Sequence, residues 1–414
     1  MLKNNNRSVS AILGALTLAI GLAVTSMPAK AGAREQAKRM YDRIAGVPPT
    51  DGELAQMLAI MDTNNDNVTD SDLAAKQAAE IALQSPSFYN VTLKNLFTPW
   101  SNEERTVFAD LNDFTATLIG LVRDGADFRQ ALYGDVIYVG NVNGLPPYSN
   151  DSNAHYAALE ATGLNLGDPT VLVQQPQSSI TGLPSDATAG VITTRAGARA
   201  YFVAGTNRAM FRFTLINFLC DDLEQLKDTT RPTDRIRQDV TRSPGGDSRI
   251  FLNNCVGCHS GMDPMVQAFA YYNWSGSDDS PDGHIEYTPG QVQAKYHINA
   301  TNFRYGYVTP DDHWTNYWRT GQNSSLGWDS NISYGVSGCT PGDCRGAKTL
   351  GMELSHTEAF AQCQAKHVFQ TVCLHPPATA ADIAEISTMV GSFKSSNYNM
   401  QTVFTDAAAY CRGD

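Results

Sequence analysis

A five-residue run, Cys255-Val256-Gly257-Cys258-His259, restricts this chain more than any other feature. Two thiols three positions apart, with an imidazole next to the second, form the attachment signature of a c-type haem. On a helical turn each sulfur can add across one vinyl group of the porphyrin, and the histidine then meets the iron as proximal ligand. Other uses of the pair fit less well. A thioredoxin-like C-x-x-C calls for a flanking βαβ pattern, which the neighbouring sequence lacks. A zinc site calls for a second ligand pair at compatible spacing, and no other C-x-x-C or H-x-x-x-H is present. A local disulfide would leave His259 without a role.

The other six cysteines are Cys220, Cys339, Cys344, Cys363, Cys373 and Cys411. An even remainder suits an exported domain stapled by up to three disulfides. Cys363 and Cys373 fall in a segment, Ala359–Cys373, that reads as helix. Ten helical residues separate them by about 15 Å, too far for a disulfide. Each should pair elsewhere, with Cys220 and Cys411 as the available partners. Cys339 and Cys344 flank the turn sequence Thr340-Pro341-Gly342-Asp343, which predicts a local bond.

Residues 1–31 read as a secretory signal. Lys3 and Arg7 precede an uncharged, mostly apolar run from Val9 to Val24, and Ala29-Lys30-Ala31 supplies the small-residue cleavage site. The run is short for a membrane span, and no later segment has the roughly 18 apolar residues a span needs. A periplasmic or secreted location follows, where thiols tend to oxidise. With 30 Lys+Arg against 42 Asp+Glu, the net charge of −12 argues against nucleic acid as a partner.

The rest of the chain reads as mainly α. Helices are expected over Arg34–Ala45, from the Thr50-x-x-Glu53 capping box through Met61, over Asp70–Leu83, from Ser101-x-x-Glu104 onward, and over Asp113–Val122. Val136–Val139 is the best strand. The Gly-, Pro-, Ser- and Asn-rich stretch 141–187 suggests loops and a boundary between an N-terminal helical region, 32–187, and a haem-bearing region, 188–414. Thr193–Asp228 reads as largely helical and 229–247 as a loop leading into the haem helix. Residues 275–350 are loop-rich. Ser355-x-x-Glu358 predicts a helix start, and Thr379–Phe393 and Met400–Cys411 close the chain. The expected fold is a helical cytochrome-c-like haem module embedded in a larger, loop-rich, disulfide-stapled helical protein.

Two further sets of residues are candidates for metal ligation. Asp62, Asn64, Asp66 and Asp70 place oxygens at alternating positions between two helices, as a calcium loop does. The match is imperfect: Asn67 stands where glycine is expected, and Leu73 where the bidentate glutamate belongs. A plain polar turn with Asp70 capping the next helix is the competing reading. For the distal side of the iron, His297, His313, Met352 and His356 are available, with His297 and Met352 preferred. Met262 and Met265 follow His259 too closely to cross the ring.

The stretch DSRIFLNNCVGCHSGMDPM, residues 247–265, resembles the planctomycete-type cytochrome-associated family of secreted proteins, in which M/I-D-P and an aromatic segment follow the haem motif. Here that segment is Ala268–Asn273. Residues 189–195, 207–220, 357–363 and the Val47-Pro48-Pro49-Thr50 turn are similar to other family segments. The resemblance implies haem and a periplasmic setting but supplies no substrate. The expected function is electron transfer by a monohaem cytochrome to an unidentified redox partner. A haem enzyme with an open distal site, and a calcium-stabilised binding protein with ancillary haem, remain the alternatives. About 100 residues suffice for one haem domain, so the additional chain must bind or dock something more.

Overall fold

A computed structural model describes residues 31–203, 205–277, 280–298 and 303–413. The expected signal segment therefore lies outside the described residues, except for Ala31. The described chain is mainly helical, 51% by residue, with a few short strands. No helix among the described residues is long and apolar enough to cross a membrane.

Local chemistry sets the first helices. Helix α1 (Ala33–Ala45) stops at Gly46, whose φ of 73° lets its N–H return to the Asp42 carbonyl. Thr50 and Glu53 form the reciprocal capping box that opens α2 (Asp51–Met61). Helix α3 (Asp72–Ala82) is capped by Ser71, whose hydroxyl accepts from the Ala74 N–H, and not by Asp70. Its fully buried Ala75, Ala78, Ala79 and Ala82 present a smooth face against which other helices can close. Helix α4 (Asp113–Arg123) is the buried central rod, capped by Asn112.

Strand β1 (Ile137–Gly140) pairs antiparallel with β2 (Leu172–Gln175), Ile137 opposite Gln175 and Gly140 opposite Leu172. The second strand sits in the stretch expected to be loop, which also holds α5 (Ala154–Ala161). The helical expectation for 193–228 resolves into α6 (Arg195–Tyr201), α7 (Arg208–Thr214) and a π turn over Leu215–Leu219. That turn ends at Cys220 with φ 59°, so 221–228 is not helical. A second π turn, Phe251–Cys255, leads into α8 (Val256–Val266).

After α8 come two more antiparallel ribbons, β3 (Tyr272–Ser275) with β4 (His284–Tyr287) and β5 (His313–Thr315) with β6 (Asp343–Arg345). Helices α9 (Gly346–Ser355), α10 (Glu358–Cys373), α11 (Ala380–Ser395) and α12 (Met400–Tyr410) finish the chain. Helix α12 lies against α3 and α1, and one hydrophobic cluster runs from Ala37 to Ala409.

Two expected helix starts are corrected. Ser101-x-x-Glu104 opens no helix, because the Asn102 side chain bonds both the Thr106 carbonyl and the Thr106 N–H, and Arg105 turns left-handed at φ 53°. Ser355 ends α9, and the cap of α10 is Thr357, which accepts from Phe360. The cysteines pair as Cys220–Cys363, Cys339–Cys344 and Cys373–Cys411, with Cα separations of 5.2, 4.6 and 5.4 Å. Cys363 and Cys373 thus take separate partners, and Cys255 and Cys258 stay free thiols.

Candidate haem-attachment site

Cys255 ends the π turn and serves as the N-terminal boundary of α8, which carries Cys258 and His259 in its first turn. All three side chains are half-buried and line one cavity of about 340 Å³, together with Arg208, Arg212, Leu223 and Met262. Loop 221–228 braces the helix from one side. The Asp228 N–H donates to the Gly257 carbonyl at 3.0 Å, and the Ser260 hydroxyl donates to the Asp228 carbonyl at 3.1 Å. On the other side, Gly261 must lack a side chain, since a Cβ there would run into the fully buried Trp318 indole.

A buried charge network orients His259. Asp263, one turn further along α8 and fully buried, takes His259 Nδ1 on Oδ1 at 3.0 Å. The Arg208 guanidinium grips the same carboxylate with Nε on Oδ1 at 2.8 Å and Nη2 on Oδ2 at 3.0 Å. Oδ2 also accepts the Arg237 backbone N–H at 3.2 Å. Arg208 makes a second forked pair with Asp239, at 2.5 and 2.9 Å. Burial alone would push the Asp263 carboxyl upward, but Arg208, His259 and Arg237 more than offset it and hold the group far below the usual carboxylate range. Arg208 is held above its ordinary value by Asp263 and Asp239, against the opposing effect of burial. With Nδ1 fixed on Asp263, Nε2 is the nitrogen left to ligate a metal, the arrangement in which a carboxylate fixes the tautomer and raises ligand basicity.

The surroundings of the thiols bear on the readings of the motif. Burial, followed by Glu224, pushes the Cys258 thiol up, and its Sγ donates to the Leu223 carbonyl at 3.4 Å. Among the described residues, the one group of three His, Cys, Asp or Glu ligand atoms lying within 4.8 Å of one another is Cys220, Cys363 and His367. Cys255, Cys258 and His259 do not form such a group, and all three line one cavity. In the Cys220 group both sulfurs are tied up in the disulfide, so it is a bonded pair with an imidazole beside it. Two free thiols and an imidazole on one cavity are the donor set that a covalently held macrocycle with a central metal would use.

The remaining candidates stand elsewhere. Neither His297 nor Met352 lines the cavity: His297 is exposed at the end of a 3₁₀ turn, and Met352 is half-buried on α9 against the main core. His313 pairs with Asp343 at 2.7 Å, and His356 Nδ1 meets the Met352 carbonyl at 2.8 Å. In the acidic loop, Asp62 accepts the Asp66 and Asn67 N–H groups, and Asp66 accepts that of Val68. Asn64 bonds Asp66, while Asp70 turns to Thr63 at 2.6 Å. Their oxygens cap the loop's own backbone.

The partners of His259 escaped the sequence reading. Asp263 carried a signal, since i and i+4 share a helix face, whereas Arg208 and Asp239 lie too far off in sequence to be assigned. In comparison with known proteins, no family model, no curated protein and no solved structure matches this chain.

Proposed function

We propose that this chain is an exported monohaem c-type cytochrome that transfers electrons. The observation that carries the reading is the His259 imidazole fixed through Nδ1 to a buried carboxylate while Cys255 and Cys258 face the same cavity as free thiols. In this reading Cys255 and Cys258 would each add S–H across a porphyrin vinyl group, and His259 Nε2 would hold the iron. The bound haem supplies a one-electron couple. The chain's own part is to keep the imidazole oriented, to place negative charge behind it, and to leave Arg212 exposed at the cavity edge, paired with Asp222. The likeness of residues 247–265 to secreted cytochrome-associated proteins supports the same conclusion.

The test is maturation in cells with intact c-type haem machinery, followed by mass spectrometry and optical spectroscopy. The peptide containing Cys255 and Cys258 should gain one haem mass, and a Cys255→Ser/Cys258→Ser variant should not. A low-spin spectrum unchanged by carbon monoxide supports electron transfer; a high-spin spectrum that shifts with carbon monoxide moves the protein to the haem-enzyme class. Colourless protein without added mass overturns the proposal.

A further inference from the structure

A second and larger cavity, of about 970 Å³, opens away from the haem motif between α1, the segment 91–105 and α10. Its floor is aromatic. The buried Trp100 and the His367 imidazole lie with ring centroids 4.9 Å apart. Burial keeps His367 neutral, with its pKa pushed down to about 4, and its Nε2 meets the Asn217 carbonyl at 3.2 Å. The wall is mixed, with cations in excess: Arg39 and Arg43 stand one helical turn apart on α1, Arg105 joins them from the left-handed turn, Lys38 pairs with Glu35, and Asp42 is the remaining carboxylate.

These three guanidiniums spend one donor each on neutral acceptors. Arg39 donates to the Arg412 carbonyl at 2.7 Å, Arg43 to the Cys411 carbonyl at 2.7 Å, and Arg105 to Asn217 Oδ1 at 2.8 Å. No ion pair to a carboxylate involves any of them among the described residues, although the chain carries a net charge of −12. Burial and then the neighbouring Arg39 draw the Arg43 guanidinium below its ordinary value. A guanidinium has five N–H donors in a planar fork suited to a carboxylate, so most of that capacity is unspent among the described residues. Cavities of this size, mainly apolar with a few converging polar groups, are the usual form of a small-molecule site.

We propose that this cavity binds a planar organic carboxylate, its apolar body over Trp100 and His367 and its carboxylate on the forks of Arg43 and Arg105. The apolar floor disfavours a bare inorganic anion as the preferred ligand, and the excess of cations over carboxylates on the wall favours an anion over a neutral ligand. The inference is independent of haem, since no haem-motif residue lines this cavity.

The test is isothermal titration calorimetry of the mature full-length protein with cinnamate, with cinnamyl alcohol and inorganic phosphate as controls. Cinnamate should saturate one site and weaken as salt is raised. Arg43→Gln/Arg105→Gln should lose at least about tenfold in affinity, the least expected for removing charge-assisted hydrogen bonds. Should that variant fail to fold, Arg105→Gln alone is the probe, because its described side-chain bond is to Asn217 and not to the chain end. Equal binding of the alcohol, equal binding of phosphate, undiminished cinnamate binding by the folded variant, or no cinnamate binding up to about 1 mM would each overturn the proposal.

Discussion

Asp263→Asn separates the charge network behind His259 from ordinary core packing. The two side chains have nearly the same shape, so the substitution removes charge and one acceptor without opening a cavity. Oδ1 takes His259 Nδ1 and Arg208 Nε, and an asparagine oxygen in that position keeps both bonds. Oδ2 takes Arg208 Nη2 and the Arg237 N–H, and an amide nitrogen there would set donor against donor twice. Losing one partner from a buried ion pair costs about 3–5 kcal/mol. Arg208 retains Asp239, so the lower end of that range, about 3 kcal/mol, is expected at neutral pH. Urea unfolding followed by circular dichroism, at unchanged m value, measures it. Asp239→Asn, which leaves His259 its carboxylate, is the control. In the haem-loaded protein Asp263→Asn should also raise the midpoint potential, because negative charge behind the proximal ligand favours the ferric state, while Asp239→Asn should move it less. A loss below about 1 kcal/mol, the scale of an ordinary hydrogen bond, together with an unmoved potential, would refute the account of this network.

Other parts of the fold make separate predictions. Burial, and next Asp311, raise the Asp312 carboxyl to about 6, so the folded chain binds this proton before the unfolded one as pH falls. Stability from this group therefore increases from pH 7 down to about 4, and Asp312→Asn should flatten that slope by about 1–2 kcal/mol after allowance for its partial exposure. Gly261→Ala drives a methyl into the Trp318 indole and should cost about 1–3 kcal/mol in thermal unfolding, with reduced haem incorporation. Serine replacement of each disulfide should destabilise in the order of loop length. The expected losses are about 5, 4 and 2 kcal/mol for sequence separations of 143, 38 and 5, measured by urea unfolding without reductant; a reversed order would show that native-state strain outweighs loop entropy.

What could be read from the sequence was local. The Thr50–Glu53 box, the Gly46 stop and the separate fates of Cys363 and Cys373 follow from spacing along a few turns of helix, and the structure has them. Elements that depend on distant partners were not readable. Strand β2 is a strand because β1 lies beside it, and its own Pro- and Gly-rich surroundings pointed to loop. Ser101 and Ser355 carry the composition of helix caps, but Asn102 captures the chain after the first and α9 ends on the second. The haem motif itself was plain, because three residues within five positions carry its chemistry. Its supporting shell was only half visible: Asp263 falls on the same helix face as His259, while Arg208 comes from 55 residues earlier. The cationic cavity draws on α1, the 91–105 segment and α10 and had no sequence signature at all.

The seating of α1 on residues 411–413 has a bearing on how the molecule opens. Gln36 on α1 donates to the Gly413 carbonyl at 2.8 Å, Arg39 and Arg43 hold the carbonyls of Arg412 and Cys411, and α12 covers α1 and the alanine face of α3. Helices α1, α2 and α3 pack on one another, and α12 closes over the outer side of that layer. Local opening of residues 400–410 would therefore wet the alanine face of α3 and the α1 side beneath it together, so these segments share one opening free energy and should exchange their amide hydrogens as a unit.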